Sequence, residues 1–202
     1  MKKTRKILLY AITLILLLSA VTAVMTACSS SDKANQDINP IVVLRAVIDK
    51  LELNPDDIGL QYYSEGDEEH SLTDIDIMIM FPPVFDETGN STVVHSLDLF
   101  LHYAIVRYEK AMPEIFEIGI FKIDRFSPLN DVPFKNNMRK VENMCKERLV
   151  KVKGEIFEYN KEKAYYADNS TVEVFDNYVY YIIAENSEAA YETVKYELTH
   201  KK

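Results

Sequence analysis

The chain has 202 residues, with 23 Lys and Arg against 32 Asp and Glu, a formal net charge of −9. The first 27 residues hold four of the positive charges and no acid, so residues 28–202 carry −13, and a surface this acidic repels nucleic acid and anionic head groups. Only five glycines occur, in no GxGxxG or GxxxxGK[ST] arrangement, which excludes the glycine-rich phosphate loops.

The N-terminus, Met1-Lys2-Lys3-Thr4-Arg5-Lys6, is basic, and an uncharged apolar run of 21 residues follows from Ile7 to Ala27. This is the order of a secretory signal, and the basic end stays cytoplasmic while the rest is translocated. Met25-Thr26-Ala27-Cys28 resembles the lipobox of bacterial lipoproteins, in which the cysteine thiol receives a diacylglyceryl group and the peptide is cut just before it. Ala27 is small, as that cut requires, and Met25 stands where leucine is commonest. The run also reaches the ~20 residues that span a bilayer, so an uncleaved anchor competes. The cysteine at its end favours the lipoprotein, because nothing else accounts for it. Ser29 to Asn39 is polar without apolar periodicity and reads as a flexible tether. The expected organisation is a signal peptide over 1–27, a lipidated Cys28 and tether over 28–39, and one globular domain over 40–202. With Cys28 acylated, Cys145 has no partner for a disulfide.

Pro40 to Leu53 predicts a helix: Asn39 can cap it, Pro40 suits the first position, and Ile41, Leu44, Val47, Ile48 and Leu51 share one face. Asn54-Pro55 closes it. Asp56 to Asp74 is polar and acidic. Ile75, Ile77 and Ile79 then alternate with Asp76, Met78 and Met80, a strand pattern ended by Pro82-Pro83. Asp86 to Ser91 is turn chemistry. Leu97 to Tyr108 fits either a helix or a strand, and the β-prone Tyr103, Ile105 and Val106 favour a strand from about Phe100 to Tyr108; Phe116 to Ile123 is a clear strand, linked to it through Ala111-Met112-Pro113. Asp131 can cap a long helix in which Met138, Val141, Cys145, Leu149, Val152, Ile156 and Tyr159 recur at steps of three or four, interrupted by Gly154. Val172 to Phe175 and Asn177 to Ala184 read as a hairpin about Asp176-Asn177. Its second strand is apolar or aromatic on both faces and is therefore expected to be central. It packs on the long helix through Val179, Tyr181 and Ile183 or through their alternates Tyr178, Tyr180 and Ile182, and the other set faces either a second layer or solvent. Ser187 to Leu198 is a final helix, capped by Asn186 or Ser187, with Ala190, Val194 and Leu198 inward. The order predicts an α+β domain: a mixed or antiparallel sheet with helices packed on one face, the long helix preceding a C-terminal β-hairpin and a final helix.

No motif specifies a reaction. His70, His95, His102 and His200 form no HExxH or other close ligand spacing, so no metal is expected. Asp67-Glu68-Glu69-His70 lacks the ligand pattern of a calcium loop and reads as solvated. Asp74 and Asp76, two apart on a strand, would share a face and could pair as acid and base; the polar side of a half-buried strand explains them more simply. Cys145 lies in an apolar seam, where cysteine behaves as a small hydrophobe. No GxSxG or SxxK motif occurs. No catalytic residue and no cofactor is expected. The tyrosines at 62, 63, 165, 166, 178, 180, 181, 191 and 196 are too many for one core to hide entirely, and an exposed aromatic patch would suit an envelope protein or glycan partner.

Four segments carry a resemblance: Glu117-Ile-Gly-Ile-Phe-Lys122; Arg148 eleven residues before Tyr159 with Phe157 between; Asn177-Tyr178-Val-Tyr-Tyr-Ile-Ile183; and Glu185-Asn-Ser-Glu-Ala-Ala190. With the lipobox, the chain resembles in these an uncharacterised family of small lipoproteins of clostridia-like bacteria, over roughly the last 85 residues. The family's usual glutamine after the arginine and proline after the tyrosine are missing, and residues 56–98 are longer than its norm. The family is a domain of unknown function, so the resemblance implies a location and a fold. Arg148 and Tyr159 either fix the helix end or grip an anionic ligand, and Tyr178 and Tyr180 are candidate partner contacts. The expectation is a non-catalytic binding or interaction module, lipid-anchored at Cys28 on the outer face of the cell membrane. The alternative is an envelope enzyme acting on wall or peptide substrates.

Overall fold

Asn39 opens the domain's first helix as a cap, its side chain accepting the backbone N–H of Ile41 at 3.1 Å, with Pro40 at the position that needs no N–H. The computed structural model describes residues 38–54, 59–64, 70–81, 97–107, 117–125 and 132–200. Its elements are α1 (Pro40–Lys50), β1 (Leu60–Tyr63), α2 (Asp74–Met80), β2 (His102–Arg107), β3 (Glu117–Lys122), α3 (Val132–Tyr159), α4 (Ala164–Asp168), β4 (Val172–Phe175), β5 (Tyr178–Ile183) and α5 (Ser187–His200). Short 3₁₀ turns lie at Leu97–Leu99 and Lys161–Lys163.

The five strands make one antiparallel sheet in the order β1-β2-β3-β5-β4. β5 is an interior strand, as its two-faced apolar pattern requires. It pairs with β3 from Tyr178 opposite Lys122 to Ile183 opposite Glu117, and with β4 on its other side. The hairpin turns at Asp176-Asn177, with Asp176 at φ 55, a left-handed conformation that aspartate tolerates better than most side chains.

Side chains alternate across the sheet and so build two cores. Ile118, Ile120, Tyr178, Tyr180 and Ile182 face α1 and α5, where they meet Leu44, Val47, Ala190, Val194 and Leu198. Phe121, Val179 and Tyr181 face α3 and α2, where they meet Val141, Met144, Cys145, Ile77 and Met80. Ile183 joins Val152 and Ile156 of α3. The α+β class and the antiparallel sheet hold. Helices, however, cover both faces rather than one, because β3 and β5 are apolar on both sides and each side must be covered. Two hydroxyls tie the layers together. Tyr178 donates to the Ile38 carbonyl at 2.8 Å, pinning the chain entering α1. Tyr191 of α5 donates to the Thr171 carbonyl and accepts the N–H groups of Thr171 and Ile182 at 3.1 and 3.2 Å.

The segment from Asp74 to Met80 is a helix, not a strand. Thr73 and Asp76 form a capping box: Thr73 Oγ1 accepts the Asp76 N–H at 3.1 Å, and Asp76 Oδ2 accepts the Thr73 N–H at 2.8 Å. Ile77 and Met80, three apart, are the buried pair, while Ile75, Met78 and Ile79 are exposed. Asp74 and Asp76 therefore do not share a strand face, and Asp76 serves as a cap. β1, in a stretch with no apolar alternation, adds a strand beside β2. Expectations for the signal, Cys28 and the tether, for Asp67-Glu68-Glu69, Pro82-Pro83, Asp86 to Ser91, His95, Ala111-Met112-Pro113 and the Asp131 cap lie outside the described residues. Among the described residues no helix is long and apolar enough to cross a membrane.

Candidate functional site

The strongest polar constellation is internal. Glu117 begins β3, and Arg148 falls in the seam of α3 between Cys145 and Val152; both are 0% exposed. Arg148 grips Glu117 bidentately, Nε to Oε1 at 2.7 Å and Nη2 to Oε2 at 2.6 Å, the strong geometry for this pair. Its Nη1 donates to the Met80 carbonyl at 3.3 Å, and the Tyr181 hydroxyl donates to Glu117 Oε1 at 2.8 Å. Gly119 makes this possible. It stands opposite Tyr181 in the register, and a Cβ there would lie 2.9 Å from Tyr181 Cζ, so the ring crosses β3 only over a glycine. Lys151, one turn beyond Arg148, donates to the Ile79 carbonyl at 2.6 Å. The last carbonyls of α2 thus meet two cations from α3, the favourable sign at a helix C-terminus.

Burial decides the electrostatics. It would lower the Arg148 pKa, but Glu117 overrides it and raises the value, so the guanidinium stays charged. Burial first, and Glu117 second, hold the Tyr181 hydroxyl well above the ordinary tyrosine range. Burial, then the charges of Glu142 and Glu117, push the Cys145 thiol up in the same way, which leaves it a poor nucleophile. The carboxylate, the guanidinium, the phenol and the thiol are all 0% exposed. Their chemistry holds α2 and α3 onto the sheet.

The four candidate contact residues do not converge. Arg148 is spent on Glu117. Tyr159 lies eleven residues, or ~16 Å of helix, further along α3 and is 60% exposed. Tyr178 and Tyr180 are buried beneath α1 and α5, so of the two arrangements open to the alternate face of β5 the second layer is the one found. Burial, ahead of nearby Glu173 and Tyr191, raises the Tyr180 pKa. The exposed aromatics are instead Phe157, Tyr159, Tyr165 and Tyr196. Glu117, Gly119 and Tyr181 escaped the sequence reading as a polar cluster. Two signals pointed to it: Arg148 keeps step with Val141, Cys145 and Val152, and a glycine inside a strand marks close approach.

On the opposite layer, an open groove of about 740 Å³ runs between α1 and α5, lined by Ala46, Asp49, Lys50, Glu192, Tyr196 and Glu197 among others. His70 stacks on Tyr63, with ring centroids 5.4 Å apart. Among the described residues no three His, Cys, Asp or Glu are grouped to hold a metal ion. No family model matches the chain, and neither a curated protein nor a solved structure matches it.

Proposed function

We propose that the chain is an extracytoplasmic lipoprotein of the resembled clostridial type, held at the cell membrane by lipid on Cys28, whose domain acts as a non-catalytic binding module. The observation that carries the second half is the fate of the reactive groups. Glu117, Arg148 and Tyr181 are fully buried and hydrogen-bonded to one another, and Cys145 is fully buried in the apolar seam beside them, so the side chains best suited to chemistry serve the fold. The first half rests on the basic start, the apolar run and Ala27-Cys28. Metabolic labelling with a palmitate analogue tests it. The wild-type chain is expected to label and to fractionate with membranes, and Cys28→Ser to lose both. Labelling unchanged in that variant removes the anchor. Turnover of wall peptides by the purified protein, unaffected by saturating any surface partner, removes the non-catalytic reading in favour of an envelope enzyme.

A further inference from the structure

The charge of this domain is unevenly placed. Residues 132–169, which hold α3 and α4, contain nine Lys and Arg against six Asp and Glu, a net +3, while the remainder of residues 28–202 stands at −16. The cations of α3 are also ordered. Arg139, Lys146, Val150, Lys153 and Phe157 follow at steps of seven, four, three and four, all exposed, with the half-buried Glu142 in the gap between Arg139 and Lys146, and the exposed Lys161 follows in the 3₁₀ turn just past the helix. Such steps keep residues on one helical face. Two large apolar side chains point outward in the middle of this cationic ridge, Val150 at 69% and Phe157 at 54% exposure. The Lys161 ammonium sits over the Phe157 ring, 5.2 Å from its centroid. Lys146 and Lys153 hold Glu142 and Asp168 at the flanks, but exposed pairs of this kind are weakly held and screened.

We propose that the outer ridge of α3 is the face this domain lays on the anionic lipid of the membrane that carries it. The proposal rests on the lipid-anchor reading. Cations flanking outward apolar side chains on one helix face are what an interfacial helix needs: phosphates for the charges, the acyl boundary for Val150 and Phe157. The tether selects the bilayer over other acidic partners. The ten residues 29–38 extend at most ~35 Å, so a lipidated chain keeps the domain permanently beside a membrane. Three layers of helix, sheet and helix are roughly 30 Å thick, which lets that tether pass around the domain. The acidic α5, with Glu188, Glu192 and Glu197 against Lys195, then points away from the lipid, and the repulsion expected of the whole molecule becomes an orienting force.

The chain contains no tryptophan, so Phe157→Trp gives a single fluorophore on the ridge and Tyr196→Trp one on α5, in the opposite helical layer. The lipidated full-length variants are placed in vesicles of phosphatidylglycerol and brominated phosphatidylcholine, or of brominated phosphatidylcholine alone. The expected result is blue-shifted, quenched emission for Phe157→Trp in the anionic vesicles, little quenching without phosphatidylglycerol, and little for Tyr196→Trp in either. Adding Lys146→Glu and Lys153→Glu should weaken the ridge contact by about fivefold or more for each charge. Vesicle flotation reads the anchor separately. A protein that floats while Phe157→Trp stays unquenched overturns the membrane face and leaves the anchor standing. A protein that does not float removes the anchor and the proposal with it. Equal quenching at both positions overturns the orientation. An emission shift produced by poly-glutamate and not by anionic vesicles assigns the ridge to an acidic polypeptide instead.

Discussion

Arg148→Met tests the buried pair, because methionine keeps an unbranched stem and removes only the charge and its donors. In the variant Glu117 stays 0% exposed and retains only the Tyr181 hydroxyl at 2.8 Å, while the Met80 carbonyl loses a donor. Removing one partner of a buried pair costs about 3–5 kcal/mol, a large part of the ~5–15 kcal/mol that holds a domain together. Replacing both charges is cheaper, since a buried pair and an apolar substitute of similar volume are often close in stability. Glu117→Leu with Arg148→Met should therefore recover at least half the loss. The shortfall is the unpaired Tyr181 hydroxyl, worth about 1–3 kcal/mol, and Tyr181→Phe in the same background should return it. Urea unfolding followed by far-ultraviolet circular dichroism reads each variant as a shift in midpoint at constant slope, and the cycle gives the coupling directly. A single variant that loses less than ~1 kcal/mol, or a double variant that loses the sum of the singles, refutes the account of Glu117 and Arg148 as a sealed and mutually dependent pair.

Gly119→Ala should destabilise by about 1–3 kcal/mol through overpacking against the Tyr181 ring, and a melting temperature equal to wild type would show that the ring is not held across β3. Gly154→Ala, on the exposed side of α3 with nothing within 4 Å of the new Cβ, should raise stability by ~1 kcal/mol through helix propensity; a loss would mean that the backbone there is not helical. Burial raises the pKa of Tyr180 and Tyr181 in the fold, so their contribution is fully present below the unfolded value near ~10 and is lost as pH climbs above it. Tyrosinate absorbance at 295 nm should accordingly lag behind the exposed tyrosines and appear for these two only with alkaline unfolding. Full ionisation of all tyrosines while the circular dichroism remains native would contradict their burial.

The sequence was readable where one signal stood unopposed. The Asn39-Pro40 start of α1, the steps of three and four along α3, the Asp176-Asn177 turn and the two-faced apolar run of β5 each allow a single structure, and each is found. Asp74 to Met80 carried two competing signals, alternating isoleucines and a Thr73–Asp76 box, and the box prevailed because it satisfies backbone donors that a strand there would have to satisfy elsewhere. β1 was hidden because an edge strand four residues long needs no apolar alternation of its own when it leans on β2. The partner of Arg148 was illegible for another reason. Glu117 is 31 residues away in the chain, and only the pairing of β3 beneath α3 brings them together. The choice between burial and exposure for Tyr178 and Tyr180 turned on a second helical layer made by the two ends of the domain, α1 and α5, which no local pattern reports.

The hydroxyl of Tyr178 on the Ile38 carbonyl has a mechanical consequence. If the chain is anchored at Cys28 as proposed, the domain is pulled at one point, and tension carried by the residues ahead of Ile38 arrives at that carbonyl. Without the tyrosine the load would fall on the first turn of α1 and peel the helix from its end, one weak bond after another. With it, part of the load passes into β5, which is gripped by β3 on one side and β4 on the other. Drag on such an anchored protein would then be shared along two ladders at once, and the entry to the domain is braced by an interior strand.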